Sequence, residues 1–61
     1  MRPHRITIYR DARGKWRWNR KAGNHRIVAA SSQGYRSRWY CTRKAVKQTP
    51  AGVDYIVEVE Q

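Results

Sequence analysis

The chain has 61 residues, of which 14 are lysine or arginine and 4 are aspartate or glutamate, giving a formal net charge of +10 at pH 7. A chain of this length forms one domain, residues 1–61, and buries only about 60% of the surface that its unfolded form exposes. Its single cysteine excludes an internal disulfide, and no metal-ligand or cofactor motif is visible. Oligomerisation is therefore the expected source of additional burial.

The hydropathy pattern predicts neither a membrane span nor a secretion signal. No stretch approaches the roughly 20 apolar residues that a membrane helix needs. The N-terminal sequence, MRPHRITIYR, lacks the apolar region of a signal peptide. We therefore expect a cytoplasmic protein that does not associate with a membrane.

The charge is distributed unevenly along the chain. All 14 cations lie between Arg2 and Lys47, whereas three of the four acids lie in the last eight residues. A positive density of this kind favours a polyanion or an acidic protein as partner. A basic domain with no polyanionic partner is also compatible with the composition.

Three strands are predicted in the first half of the chain. Residues 5–10 alternate Ile6 and Ile8 with polar or aromatic residues, a period-two pattern typical of a strand. Residues 11–14 predict a turn in which a glycine of positive φ closes a hairpin. Residues 15–21 and 26–30 then form two further strands on either side of a turn at residues 22–25, where we expect Gly23 and Asn24 to accommodate left-handed backbone angles. The short connections predict an antiparallel meander.

A helix and a fourth strand complete the predicted order. Ser37 is a suitable N-cap for a helix over residues 38–48, and Pro50 and Gly52 end it. The helical spacing predicts one stripe containing Trp39 and a basic stripe on the outer side. Alternation over residues 53–60 predicts the last strand, so the fold class is α+β with the order β-β-β-α-β.

Several motifs in this order resemble the YegP-like proteins, also called the DUF1508 family. They are the Tyr-x-Asp-x-x-Gly-x-Trp-Arg-Trp run at residues 9–18, Lys-Ala-x-Asn at 21–24 followed by Ile-Val-Ala at 27–29, and Ser-x-Gly-Tyr at 32–35. The resemblance covers nearly the whole chain. It implies a single β3-α-β unit that forms a homodimer in which the C-terminal strands are exchanged.

The residues by themselves also favour strand exchange. A chain leaving a short helix at Pro50 has few residues in which to return to its own sheet, so its last strand is expected to pair with a second copy. Such an exchange would protect the exposed sheet edges. The residues expected in this dimer strand are Val53, Tyr55, Val57 and Val59.

Catalytic chemistry is not expected. An enzyme needs a nucleophile beside a base, a pair of carboxylates or a metal site. His4, His25 and Cys41 are scattered along the predicted elements, and nothing in the sequence places a third group beside any of them. We expect Cys41 to be a small buried residue, no cofactor to be present, and no small molecule to be a substrate.

Period two in the strands separates a core side from an outer side. The expected core consists of Ile6, Ile8, Trp16, Trp18 and Trp39. The opposite side of the sheet and the outer side of the helix are cationic, and arginine and lysine can neutralise phosphates there. The expected nucleic-acid-binding residues are Arg5, Tyr9, Lys15, Arg17, Lys21, Arg36, Arg43, Lys44 and Lys47.

Two functions are compatible with these features. The first is a small basic homodimer that binds nucleic acid through phosphates, with the sheet side and the helix side both open as the binding surface. The second is a bacterial or phage-encoded interaction module, an adaptor or inhibitor, that binds an acidic protein partner. A structural protein with no dedicated ligand is the third possibility.

Overall fold

A computed structural model describes residues 2–60 as four strands and one helix. Met1 and Gln61, the ends of the single domain expected over residues 1–61, lie outside the described residues. The elements are β1 (His4–Arg10), β2 (Trp16–Lys21), β3 (Ile27–Ala30), α1 (Arg38–Gln48) and β4 (Tyr55–Val59). They form one mixed sheet with the strand order β3-β2-β1-β4. The α+β class and the order of elements agree with the sequence analysis.

The β1–β2 hairpin is held by Asp11. Its carboxylate accepts hydrogen bonds from the backbone N–H groups of Arg13 and Lys15, each at 2.9 Å, and from Arg17 Nε at 2.7 Å. These contacts lower the pKa of the Asp11 carboxyl, and the side-chain hydrogen bond from Arg17 is the largest cause. Gly14 has φ of +78° and closes the turn, as the sequence predicts.

The turn between β2 and β3 differs from the prediction in one respect. The left-handed residue is His25, with φ of +67°, rather than Gly23 or Asn24. Asn24 has another role, because its Oδ1 accepts the N–H of Arg26 at 3.1 Å. The side-chain amide thus closes the turn locally, and the left-handed angle falls on the next residue.

The helix is rotated relative to the predicted register. Cys41 and Ala45 are fully buried on Ile6, Ile8 and Trp18. These two small residues are four positions apart and share one face, so α1 can approach the sheet closely.

The prediction that Trp39 belongs to the core is consequently wrong. Its side chain is 66% exposed on the outer side of the helix. Trp16 is only half-buried and packs at the margin of the core, with Arg10 Cζ 5.3 Å from its ring centroid.

The last strand returns to its own sheet. β4 pairs in parallel with β1, and Ile6 lies opposite Val57. The expectation that too few residues remain for this return is wrong, because the 11-residue helix itself carries the chain back by ~16 Å. Val53 lies before β4 rather than within it, since its N–H bonds to the carbonyl of Pro50 in a turn where Gly52 has φ of +86°.

The helix covers only part of the sheet. It packs against β1 and β2, whereas no Cα atom of α1 lies within 8 Å of one in β4. Tyr55, Val57 and Val59 lie on the same side of the sheet as the buried Ile6 and Ile8, yet each is between 38% and 43% exposed. β4 therefore presents an apolar stripe, defined by these three residues, on the helix side of the sheet edge.

Candidate nucleic-acid interface

The side of the sheet opposite the helix is one of the two predicted binding surfaces. Its cross-strand neighbours place Arg5 beside Lys21 and Tyr9 beside Arg17. Parallel pairing brings β4 alongside, so that Glu58 lies next to Thr7. This surface, which we call the sheet outer face, therefore combines cations from β1 and β2 with an acid from β4.

Ion pairs reduce the positive charge that the sheet outer face offers to a ligand. Arg5 Nε lies 3.5 Å from Glu58 Oε1, and Arg17 Nε lies 2.7 Å from Asp11 Oδ2. Glu60 also lines the 330 Å³ groove on this face beside Lys21. Both arginines that the sequence assigns to this surface are thus partly neutralised. Asp11, in the turn after β1, neutralises Arg17, and Glu58 on β4 neutralises Arg5.

The segment that contains α1 has a different electrostatic character. Residues 36–48 contain five cations and no acid. The five are Arg36, Arg38, Arg43, Lys44 and Lys47. Within residues 2–60 the two ion pairs both belong to the sheet outer face, so none of the helix cations is paired with a carboxylate.

Aromatic rings are interleaved with these cations. Arg43 Cζ lies 5.2 Å from the ring centroid of Trp39, and Lys44 Nζ lies 5.4 Å from that of Tyr40. The two pairs are each four residues apart along the helix, a spacing that brings side chains together. With Lys47 they line a shallow groove of about 220 Å³. We call these five residues the basic helix face.

The local sequence explains why the basic helix face is solvent-exposed. Ser37 adopts an extended backbone, and its Oγ accepts the N–H of Tyr40 at 3.3 Å, which fixes the start of the helix as predicted. Once Cys41 and Ala45 face the sheet, residues 39, 43 and 47 lie on the opposite side.

The structure divides the predicted binding residues into two groups. Arg5, Tyr9, Arg17 and Lys21 lie on the sheet outer face, whereas Arg43, Lys44 and Lys47 lie on the basic helix face. Lys15 is exposed just before β2, and Arg36 is exposed just before α1.

Sequence reasoning missed two members of the helix surface. Arg38 was not among the predicted residues, although its position in an acid-free run beside the N-cap is a usable signal. Trp39 was assigned to the core.

The groups that could support other chemistry are few. Burial raises the pKa of the Cys41 thiol to about 11, so the reactive thiolate is disfavoured. In the described part of the chain no cluster of three or more His, Cys, Asp or Glu side chains could hold a metal ion. Within residues 2–60 no helix has the length and apolarity needed to cross a membrane.

The fold is that of a small β-β-β-α-β protein. It consists of an antiparallel meander, a covering helix and a final strand that is parallel to the first. A family described as a domain of unknown function, DUF1508, matches residues 11–46, which extend from the first hairpin turn into the helix. The chain belongs to this family, and the resemblance seen in the sequence motifs is confirmed.

Similar proteins are found in bacteria and in an archaeon. UPF0339 protein NMB1088 of Neisseria meningitidis serogroup B and UPF0339 protein NMA1193/NMA1859 of serogroup A are each 50% identical over 36 residues, which cover 59% of this chain and 62% of each relative. The match thus spans less than two thirds of these relatives' length. The NMR solution structure of a protein from Haloferax volcanii is 29% identical and has a TM-score of 0.66, covering 92% of this chain and 97% of that one.

Proposed function

We propose that this protein is a non-enzymatic module that binds nucleic acid through phosphate contacts made by the helix surface. The observation that carries the proposal is the acid-free run of five unpaired cations over residues 36–48. Neutralising phosphates releases counterions from the nucleic acid, and this release supplies affinity without base readout.

The helix surface supports this function better than the sheet outer face does. A phosphate approaching Arg5 or Arg17 must compete with Glu58 or Asp11, which already accept contacts from these arginines. Among residues 2–60 no carboxylate is paired with a cation of the helix, and the positive end of the α1 dipole lies near Arg36 and Arg38. We therefore place the interface on the helix.

Salt-dependent binding tests the proposal. Fluorescence anisotropy of a labelled 12-nucleotide strand and of a 12-base-pair duplex should show micromolar or tighter binding at ~50 mM salt. Each phosphate contact with a single strand contributes about 0.7 to the slope of log affinity against log salt. If all five cations of residues 36–48 contact phosphates, the slope should be about −3.5.

Two pairs of lysines provide matched variants for locating the interface. Lys44→Ser with Lys47→Ser removes two charges from the helix, and Lys15→Ser with Lys21→Ser removes two from the β2 region. The first double variant should reduce the magnitude of the salt slope by about 1.4 and the second should change it little. A larger loss in the second variant would place the interface on the sheet, and no binding to either probe at ~50 mM salt would refute the proposal.

The alternative function, binding of an acidic protein partner, uses the same positive charge. Polyglutamate of matched length serves as the probe that separates the two functions. Binding of polyglutamate as tight as that of the oligonucleotides would favour the acidic protein, because it would show that the backbone and bases of nucleic acid contribute nothing specific.

We also propose that the protein functions as a homodimer with β4 at its interface. The apolar stripe of Tyr55, Val57 and Val59 supports this assembly, since the helix leaves it uncovered at the sheet edge. In the strand-exchanged form expected from the sequence, β4 would pair with β1 of a second copy in the register seen here within one chain. The homodimer would then carry the helix cations of both copies.

A further inference from the structure

The most exposed large apolar side chain of the described residues is Trp39. Its side chain is 66% accessible on the outer side of α1, although tryptophan is a residue that proteins usually bury to a large extent. The core does not need this ring, because Cys41 and Ala45 already fill the contact between helix and sheet. An exposed tryptophan in this position is available to a ligand.

The surroundings of Trp39 differ from those of the neighbouring Tyr40. Tyr40 is braced by Tyr35, whose ring centroid is 5.5 Å away at an interplanar angle of 57°, and Lys44 lies over it. Trp39 has Arg43 over its ring, and in the described part of the chain it has no aromatic partner. Since the residue is 66% exposed, the indole has accessible surface on which a base can stack, while the guanidinium adds a cation beside it.

The ligand that fits this arrangement carries both flat rings and negative charges. A nucleobase can stack on the indole while the flanking phosphates reach Lys44 and Lys47, which line the same groove. A duplex hides its base faces in the helical stack, so only an unpaired strand can use the ring. A second copy of this helix is disfavoured as the occupant, because it would bring the four cations of α1 against another four.

We infer that Trp39 and Arg43 form a stacking site for an unpaired base of single-stranded nucleic acid, DNA or RNA. This inference rests on the proposed function and specifies its ligand. The helix cations hold the phosphates, and Trp39 makes the affinity depend on the presence of bases. Stacking on an aromatic side chain is tolerant of sequence, since every base has a flat face.

Four labelled probes of equal length separate the stacking site from charge alone. They are a thymidine 12-mer, a uridine 12-mer, a 12-base-pair duplex and an abasic 12-mer that keeps the phosphates but lacks bases. Trp39→Leu removes the aromatic ring but keeps apolar bulk, and Trp39→Phe keeps a ring that can stack. Since Trp39 is exposed, thermal unfolding followed by circular dichroism should show that both variants fold as the parent does.

The parent protein should bind the thymidine or the uridine strand at least about fivefold more tightly than the abasic strand. Trp39→Leu should abolish this difference, and Trp39→Phe should retain most of it. The better bound of the two single strands identifies DNA or RNA as the source of the ligand, and equal binding supports a site that reads only base and phosphate.

The outcomes also distinguish failure of this inference from failure of the proposed function. Binding of the thymidine and the uridine strands that is no tighter than binding of the abasic strand, or an undiminished difference in Trp39→Leu, would overturn the stacking site and leave phosphate binding intact. Absence of binding to all four probes would overturn both.

Discussion

Cys41 lies at the centre of the contact between helix and sheet, and its burial affects stability at high pH. The side chain is fully buried, and desolvation raises the pKa of its thiol from 9.0 to about 11. In the unfolded chain the thiol ionises near pH 9, whereas the folded protein retains the proton until about pH 11. The stabilising contribution is therefore complete below pH 9 and is lost as the pH rises through 11.

We expect the free energy of unfolding to fall by about 1–3 kcal/mol between pH 9 and 11 as a result of this one group. Urea denaturation at several pH values measures it. The Cys41→Ala variant is the control, because lysines and tyrosines titrate in both proteins. The parent should lose more stability with pH than the variant, and parallel pH profiles would contradict the assignment.

At the scale of elements, Arg20 connects β2 to the end of α1. The residue is only 8% exposed, and its Nη1 donates to the carbonyl of Gln48 at 3.3 Å and to Thr49 Oγ1 at 3.4 Å. A cation at this position satisfies a carbonyl at the helix terminus and complements the negative end of the helix dipole. Arg20 thus acts as a C-terminal cap supplied by the sheet.

Arg20→Ala should lower the free energy of unfolding by about 2–3 kcal/mol, because it removes both the buried stem and the hydrogen bonds to the helix end. Arg20→Met keeps an apolar stem of similar length and should cost about 1 kcal/mol. Chemical denaturation of the two variants provides the measurement. Equal losses would show that the stem contributes nothing, and an Arg20→Ala variant as stable as the parent would exclude the capping role.

At the scale of the whole molecule, the apolar stripe on β4 predicts association. Light scattering should give about twice the 7.3 kDa mass of one chain. Val57→Lys places a charge on the helix side of β4 and should yield monomers. Ile56→Lys, at a similarly exposed residue on the opposite side of the same strand, should leave the dimer intact.

Removing residues 53–61 should abolish the dimer or unfold the chain. A truncated protein that remains a folded dimer, or a parent that is monomeric at high concentration, would refute β4 as the interface.

A cysteine pair separates strand exchange from pairing within one chain. Thr7 and Glu58 are neighbours across β1 and β4 on the sheet outer face. A disulfide between Thr7→Cys and Glu58→Cys should link two chains if β4 is exchanged. Its formation within one chain would contradict exchange while leaving association through the stripe open.

The sequence by itself determined the elements of this protein. Period-two alternation placed Ile6 and Ile8 together on one side of a strand, and Ser37 and Pro50 bounded the helix at the residues observed. These features depend on neighbours within a few positions, for which local spacing and capping are sufficient. The concentration of positive charge was likewise visible without a fold.

Only the tertiary structure decided which sides of those elements face solvent and which charges remain unpaired. Trp39 and Cys41 are two residues apart on one helix, and the choice between them depends on how closely α1 can approach the sheet. Arg5 and Arg17 were equivalent to the helix cations in the sequence, but pairing with Glu58 and a tight hairpin at Asp11 partly neutralised them. Long-range strand pairing and packing volume set these outcomes, and neither is encoded in local spacing.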